Sequence, residues 1–295
     1  SALEVNLDFD RIGAHYNAFT SEENTVFYAA VLPEYLPKAL DILADILRPS
    51  LRQEDFDMEK NVIIEEIGMY EDRPGFVAYD LARKAYFHGH PLGHFDWNQF
   101  VALAERQCCA WPKGTAVRSG RKPVKGTGVF QLAPRDPKKS AQEHVFLLSP
   151  GPAADAPLRH AAALLCTILG DDSNSRLYWT LVDPGLAESA DMGMQGILRQ
   201  TAAEGVSEAE LAYAKPKVLS RVVRSSERPM GRLQDLGMNW TYLGQYRSVD
   251  DDLRDFENVT VKKIRQVLDK FSFEDNAILA LGPLKKMQPP PPRRR

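Results

Sequence analysis

The chain is short of cysteine, of basic charge and of long apolar runs, and each shortage removes a class of protein. Only Cys108, Cys109 and Cys166 occur in 295 residues. They form no Cys-x-x-Cys pair and their number is odd, so neither a disulfide framework nor a structural metal knot is indicated, and buried free thiols are expected. A formal net charge of -3 and an isoelectric point near 6.1 leave no basic footprint for nucleic acid. No apolar run approaches the roughly 18 residues that a membrane span needs. The start, Ser1-Ala2-Leu3-Glu4, has no Met, no basic segment and no apolar signal core, and reads as the middle of a longer chain.

What is present is enough for two modest hydrophobic cores, since 44% of the residues are hydrophobic. Two short runs, 11–19 and 25–32, flank the polar stretch Thr20 to Asn24 and predict a hairpin. Pro33 and Pro37 bracket the entry to a helix through Ala39 and Leu47, which Pro49 ends. A longer helix is expected over 54–72, broken at Arg73-Pro74-Gly75, then a further helix to about Tyr86 and another over 97–111. Residues 112–128 are rich in Lys, Arg, Gly, Pro and Ser and read as a linker. Beyond it come strands at 128–132 and 144–149 and a helix over 157–169. Further helices are expected from Ser175 and over 207–224, 229–243 and 260–271, with a last strand at 276–281. The two halves run in similar order, which suggests an internal duplication and an α+β fold of antiparallel sheets covered by helices. Pro289 to Arg295 reads as a disordered polyproline tail, with peptide or anionic-surface docking as the alternative.

The helix over 54–72 separates its charges into two kinds. At ~100° per residue, Glu59 and Glu66 fall within about 20° of each other, among Phe56, Val62, Ile63, Ile67 and Met69. Two carboxylates on an apolar stripe are costly unless a proton, a cation or strong donors neutralise them, which is how a metal site or an acid/base pair looks from sequence. The alternative is an ordinary amphipathic helix whose long Glu side chains reach solvent.

Gly13-Ala14-His15-Tyr16-Asn17-Ala18-Phe19-Thr20-Ser21, followed by Glu59-Lys60-Asn61-Val62-Ile63-Ile64-Glu65-Glu66, resembles the pitrilysin/insulinase family of zinc metallopeptidases, which includes the mitochondrial processing peptidases. The resemblance covers nearly the whole chain. It implies two domains of one repeated design, with an Asn-Ala strand whose edge holds an extended substrate. It further implies a Glu-x6-Glu pair in which the second glutamate ligates zinc and the first assists. On that basis Glu66 is the metal ligand and Glu59 the catalytic helper. Asn17, Ala18 and Phe19 belong to the substrate strand, and Arg176 and Tyr178 are substrate-side residues of the second domain. The expected organisation is a remnant of the N-terminal peptidase-like domain over 1–111, the linker 112–128, a second, non-catalytic domain over 129–284 and a tail over 285–295.

Departures from the family pattern bear on activity. The inverted motif His-x-x-Glu-His, which supplies two zinc ligands and the general base, occurs nowhere in these residues. One carboxylate cannot make the three-ligand open site of a catalytic zinc, so the chain alone is expected to hold no zinc tightly and to be inactive. Segments also look cut out after His94 and after Gly193, and Val182 and Glu188 stand where many relatives have an Arg and a Tyr that touch substrate. His88, His90 and His94 invite a metal reading, but Gly89, Pro91 and Gly93 between them favour a loop.

Two functions follow. Either the chain is a shortened zinc endopeptidase acting on peptides, or it is a non-catalytic subunit that binds peptide or supports a complex, as a homo- or hetero-dimer with a related subunit. Elements missing from the first domain would leave its sheet short and its helices uncovered. Hydrogen exchange is therefore expected to show weaker protection over residues 11–86 than over 129–281. Equal or stronger protection in the first stretch would show that domain to be complete.

Overall fold

A computed structural model of the chain describes residues 2–50, 52–87, 129–136, 140–185, 194–273 and 276–286, with isolated positions between 90 and 138. The expected linker at 112–128, Cys108 and Cys109, and the tail from 287 onward lie outside the described residues, as does most of the helix expected over 97–111. The chain divides into two compact units, Ser1–Gly68 with Ser226–Asp235, and Met69–Ser225 with Leu236–Arg295.

The first unit opens with a helix, α1 (Ala2–Arg11), which the sequence pattern did not predict; Arg11 ends a helix rather than starting a strand. Gly13, at φ 61°, turns the chain out of it, and its amide donates to the Asp10 carbonyl at 3.0 Å. Glycine accepts this left-handed position without a Cβ penalty. The chain then enters β1 (His15–Thr20), which pairs antiparallel with β2 (Thr25–Ala30) in the register Asn17↔Tyr28 and Ala18↔Phe27. Within the four-residue turn the Ser21 amide donates to the Asn24 carbonyl at 2.8 Å. After a 3₁₀ turn at Pro33–Tyr35 comes α2 (Leu36–Ile46), whose buried Ala39 and Ile42 meet Phe9 and Ile12. Phe9 stacks on Tyr16 at 4.1 Å between ring centroids. Each large side chain so buried contributes about 1.5–3 kcal/mol, and this core holds only four fully buried hydrophobic residues.

The long helix α3 (Gln53–Glu71) matches the expected span, but none of its residues is buried. Phe56 is 63% exposed, Ile63 47% and Ile67 52%. Of the two readings of Glu59 and Glu66, carboxylates turned into a core or long side chains reaching solvent, the structure has the second: both are exposed. Helical periodicity says which residues share a side; a second layer must lie against that side before they are buried.

The second unit is built round β5 (Ala277–Gly282), whose six residues are all buried. It lies between β3 (Phe130–Pro134), which it pairs in parallel, and β4 (His144–Leu148), which it pairs antiparallel. A strand covered on both faces reads as a continuous apolar run, as Ala-Ile-Leu-Ala-Leu does. One face receives α4 (Pro74–Tyr86): Ala78 and Ala82 contact Leu279 and Leu281, the small side chains allowing close approach. Thus α4, grouped by sequence with the first half, packs on the sheet of the second unit. Leu147, on the opposite face of β4, packs against the larger core. That core joins α5 (Arg159–Gly170), α6 (Met194–Glu204), α7 (Glu208–Ser226) and α10 (Val261–Lys270). Cys166 on α5 is exposed, correcting the expectation of a buried thiol.

Between them run α8 (Pro229–Leu243), at the expected bounds, and α9 (Val249–Glu257), which the sequence pattern missed. A reciprocal cap was the available signal: Ser248 Oγ accepts from the Asp251 amide at 3.1 Å and Asp251 accepts from the Ser248 amide at 3.0 Å. The architecture is α+β, with helices covering small sheets.

α9 docks on α5 through a half-buried charged cluster. Arg247 donates to Asp252 at 2.8 Å and to Asp255 at 2.5 Å, Arg159 lies 3.8 Å from Asp255, and so does His160, whose ring meets Phe256 edge-on. Burial, with help from Arg159, lowers the His160 pKa below its usual 6.5, against the pull of Asp255. The unfolded chain then binds the proton more readily, so stability falls as pH drops below about 6.5. His160→Gln is expected to flatten that slope in denaturant titrations just below pH 6.5. In hydrogen exchange, residues 74–86 are expected to follow the second unit, where α4 is packed.

Candidate functional site

The substrate strand of the sequence reading is β1. Its burial alternates imperfectly: Tyr16 and Phe19 are half-buried, while His15, Asn17, Ala18 and Thr20 are exposed. Tyr16 is tied down by the stack on Phe9 and by its hydroxyl, which donates to Asn6 Oδ1 at 2.9 Å. Phe19 therefore belongs partly to the packing of the hairpin. Asn17 turns its side chain along the strand, and its Oδ1 accepts the Ala18 amide at 2.8 Å. A peptide that used this amide would have to replace the Asn17 bond, an exchange of like for like that costs little.

Glu59 and Glu66 lie on α3 two turns apart, roughly 10 Å along the axis at ~1.5 Å per residue. One ion held by Glu66 would thus be out of direct reach of Glu59 on the same helix. No group of three or more His, Cys, Asp or Glu side chains converges among the described residues, and an exposed helix carrying single carboxylates does not form a zinc site. The described residues do not fit a zinc ion. Of the three loop histidines, His88 and His94 lie outside the described residues; His90 Nδ1 accepts the Leu92 amide at 3.2 Å, a turn contact.

Arg176 and Tyr178 lie where α5 gives way to a π-helical turn, Tyr178–Val182, reached through Asn174 at φ 55°. Ser175 Oγ donates to the Asp171 carbonyl at 2.9 Å and accepts the Tyr178 amide at 3.1 Å, which starts that turn. Arg176 is engaged by the protein itself. Its Nε and Nη2 form a fork on Glu210 at 2.6 and 2.9 Å, Nη1 donates to Thr201 Oγ1 at 2.8 Å, and Nη2 also reaches the Gly205 carbonyl at 3.0 Å. Such a fork is a strong, planar pairing. The network ties the π-helical turn to the α6–α7 connection, and sequence reasoning missed it. Ser207-x-x-Glu210 was a legible cap: Ser207 donates its amide to Glu210 at 2.8 Å and Glu210 returns its own amide to Ser207 Oγ at 3.2 Å. That its carboxylate would also take a guanidinium 34 residues earlier was not legible.

In sequence and in fold the chain is similar to peptidase-type proteins. Residues 1–95 match the family model for insulinase (peptidase family M16), and residues 92–196 match that for the peptidase M16 inactive domain. The chain belongs to this peptidase family. It is 29% identical to an uncharacterised zinc protease of Streptomyces coelicolor, over 98% of this chain and 78% of that protein. It is 27% identical to an uncharacterised zinc protease of Bacillus subtilis, over 97% and 85%. The first alignment spans 361 positions although the chain has 295 residues, so that relative carries segments without counterparts here. Among solved structures, the fold is similar to a peptidase M16 inactive domain from Pseudomonas fluorescens, at TM-score 0.78 and 17% identity over 97% of this chain and 85% of that one. It is similar also to a protease from Helicobacter pylori, at TM-score 0.79 and 16% identity over 95% and 84%. No described helix is long and apolar enough to cross a membrane.

Hydrogen bonds from Arg176 hold the Glu210 carboxyl down at about 2, from its usual 4.5, with Ser207 adding to the effect and desolvation opposing it. A depressed carboxylate contributes stability above its unfolded pKa and loses it as pH falls towards the folded one. Glu210→Gln is expected to lower unfolding stability at pH 7 by about 1.5–3 kcal/mol, the range for a hydrogen bond to a charged group. The gap to the native chain should close between about pH 4.5 and 2, as followed by urea titration at a series of pH values.

Proposed function

We propose that these 295 residues, by themselves, bind extended polypeptide without hydrolysing it. The observation that carries this reading is the sequence itself, in which no His-x-x-Glu-His stands beside Glu59 and Glu66. A water-activating base and two nitrogen ligands are thereby missing from the set that a catalytic zinc needs. A chain of this family that also carried the motif would be a zinc endopeptidase, with Glu66 as ligand and Glu59 assisting. What remains for binding is a strand edge: among the described residues β1 has one partner, β2, and a peptide can add to its other side through backbone hydrogen bonds with little regard for sequence. Asn17 and Ala18 would make those bonds. Arg176 then has a positioning role, holding the π-helical turn that carries Tyr178, and does not touch substrate.

The alternative, a scaffold subunit, draws on the uncovered helix α3. A related subunit, or a second copy, laid along it would bury apolar side chains that now meet water. The domain organisation of the sequence reading, with its break at 112–128 and shortened stretches after His94 and Gly193, belongs to the same proposal; the longer alignment with the Streptomyces protein supports the shortening.

The purified chain with added zinc is expected to leave an unstructured peptide intact, while that peptide slows hydrogen exchange at the amides of β1. Chelator-sensitive cleavage abolished by Glu66→Ala would overturn the inactivity and keep the site. If the cleavage survived Glu66→Ala, the site assignment would fail as well.

A further inference from the structure

The second unit holds a cleft of about 450 Å³, lined in part by Arg176. It lies between α5, the π-helical turn and α7, and its volume falls in the roughly 300–1,000 Å³ range of ligand pockets. Trp179 and Tyr213 line it, and they are 55% and 74% exposed. Two large aromatic side chains open to solvent on one cleft offer a surface on which another ring can stack.

The charged side chains of the lining already have partners, with Lys217 and Arg221 sharing Asp171. Arg176 is forked on Glu210, and Lys217 pairs with Asp171 and donates to the Ser173 carbonyl at 2.7 Å. The smaller polar groups are spent too: Thr167 and Thr180 donate back to Ala163 and Arg176 carbonyls, at 3.1 and 2.7 Å. A charged ligand would have to break these pairs, whereas a neutral aromatic one would not. The Trp179 ring is also held in place, its Nε1 donating to Asn174 Oδ1 at 2.9 Å while Asn174 sits in the left-handed conformation. A ring fixed in advance loses little rotamer freedom when something stacks on it.

We propose that this cleft is a binding site for a neutral aromatic side chain of an extended polypeptide, with Trp179 and Tyr213 as its recognition surface. It would select residue type, which a strand edge does not, and it is independent of β1.

The probe is the capped peptide acetyl-Gly-Ser-Gly-Phe-Gly-Ser-Gly-amide, with the same peptide carrying Ala in place of Phe as comparison. In the ¹⁵N-labelled full chain, the Trp179 indole resonance is assigned by its loss in Trp179→Phe. The Phe peptide is expected to shift this resonance saturably, and the Ala peptide to bind roughly three- to tenfold more weakly, as the loss of one aromatic contact implies. Tyr213→Ala, at an exposed position that leaves the fold intact, is expected to weaken the Phe peptide by a similar factor. Equal titration by the two peptides, no shift with either, or an unaltered Tyr213→Ala variant with native circular dichroism would each overturn the proposal.

Discussion

The pairing of β5 with a strand on each edge organises the second unit. All six of its residues are out of water, so their amides and carbonyls must find partners within the protein, and β3 and β4 supply them. Once that ladder is formed, the two faces of the strand require cover. Leu279 and Leu281 draw in α4 on one side, and Leu147 of β4 leads to the core of α5, α6, α7 and α10 on the other. This strand, near the end of the described residues, thus holds together elements from residue 74 onward. Register matters here because a slip of one residue would turn Leu279 and Leu281 away from α4.

The first unit has no comparable centre. Its hairpin is covered by α1 and α2 around Phe9, Ile12, Ala39 and Ile42, and α3 adds no buried residue. Apolar residues on α3 fall on more than one side of the helix, with Met58, Val62 and Met69 away from Phe56, Ile63 and Ile67 at ~100° per residue. A helix apolar on two sides is suited to burial between two layers. The exposed glutamates follow from the same circumstance: with nothing against the helix their carboxylates are hydrated, and the electrostatic cost that made them notable in the sequence does not arise.

The chemistry of the chain divides along similar lines. Where charge is drawn from water it is paired: Arg176 with Glu210, Asp171 with Lys217 and Arg221, and Arg247 with Asp252 and Asp255. These pairs hold turns and helix ends in place and leave aromatic surface as the uncommitted part of the cleft beside them. The residues that family resemblance marks for catalysis, by contrast, lie in the open.

Local sequence determined the elements whose signals are local. The hairpin needed only two apolar runs round Ser21 to Asn24; α3 and α4 needed only the break at Pro74; α8 and β5 could be placed within a residue or so. The Glu-x6-Glu spacing and the Asn17-Ala18 strand were enough to name the family. Tertiary structure decided what depends on partners distant along the chain. Whether Glu59 and Glu66 were buried rested on a second layer, not on their spacing. The partners of Arg176 are Glu210, Thr201 and Gly205, which α6, α7 and the connection between them bring to it. The β5 strand could be read from five consecutive apolar residues, but that it would pair with Phe130–Pro134 and carry α4 could not. Periodicity reports only which side of an element is apolar, and what meets that side is settled by the whole chain folding at once.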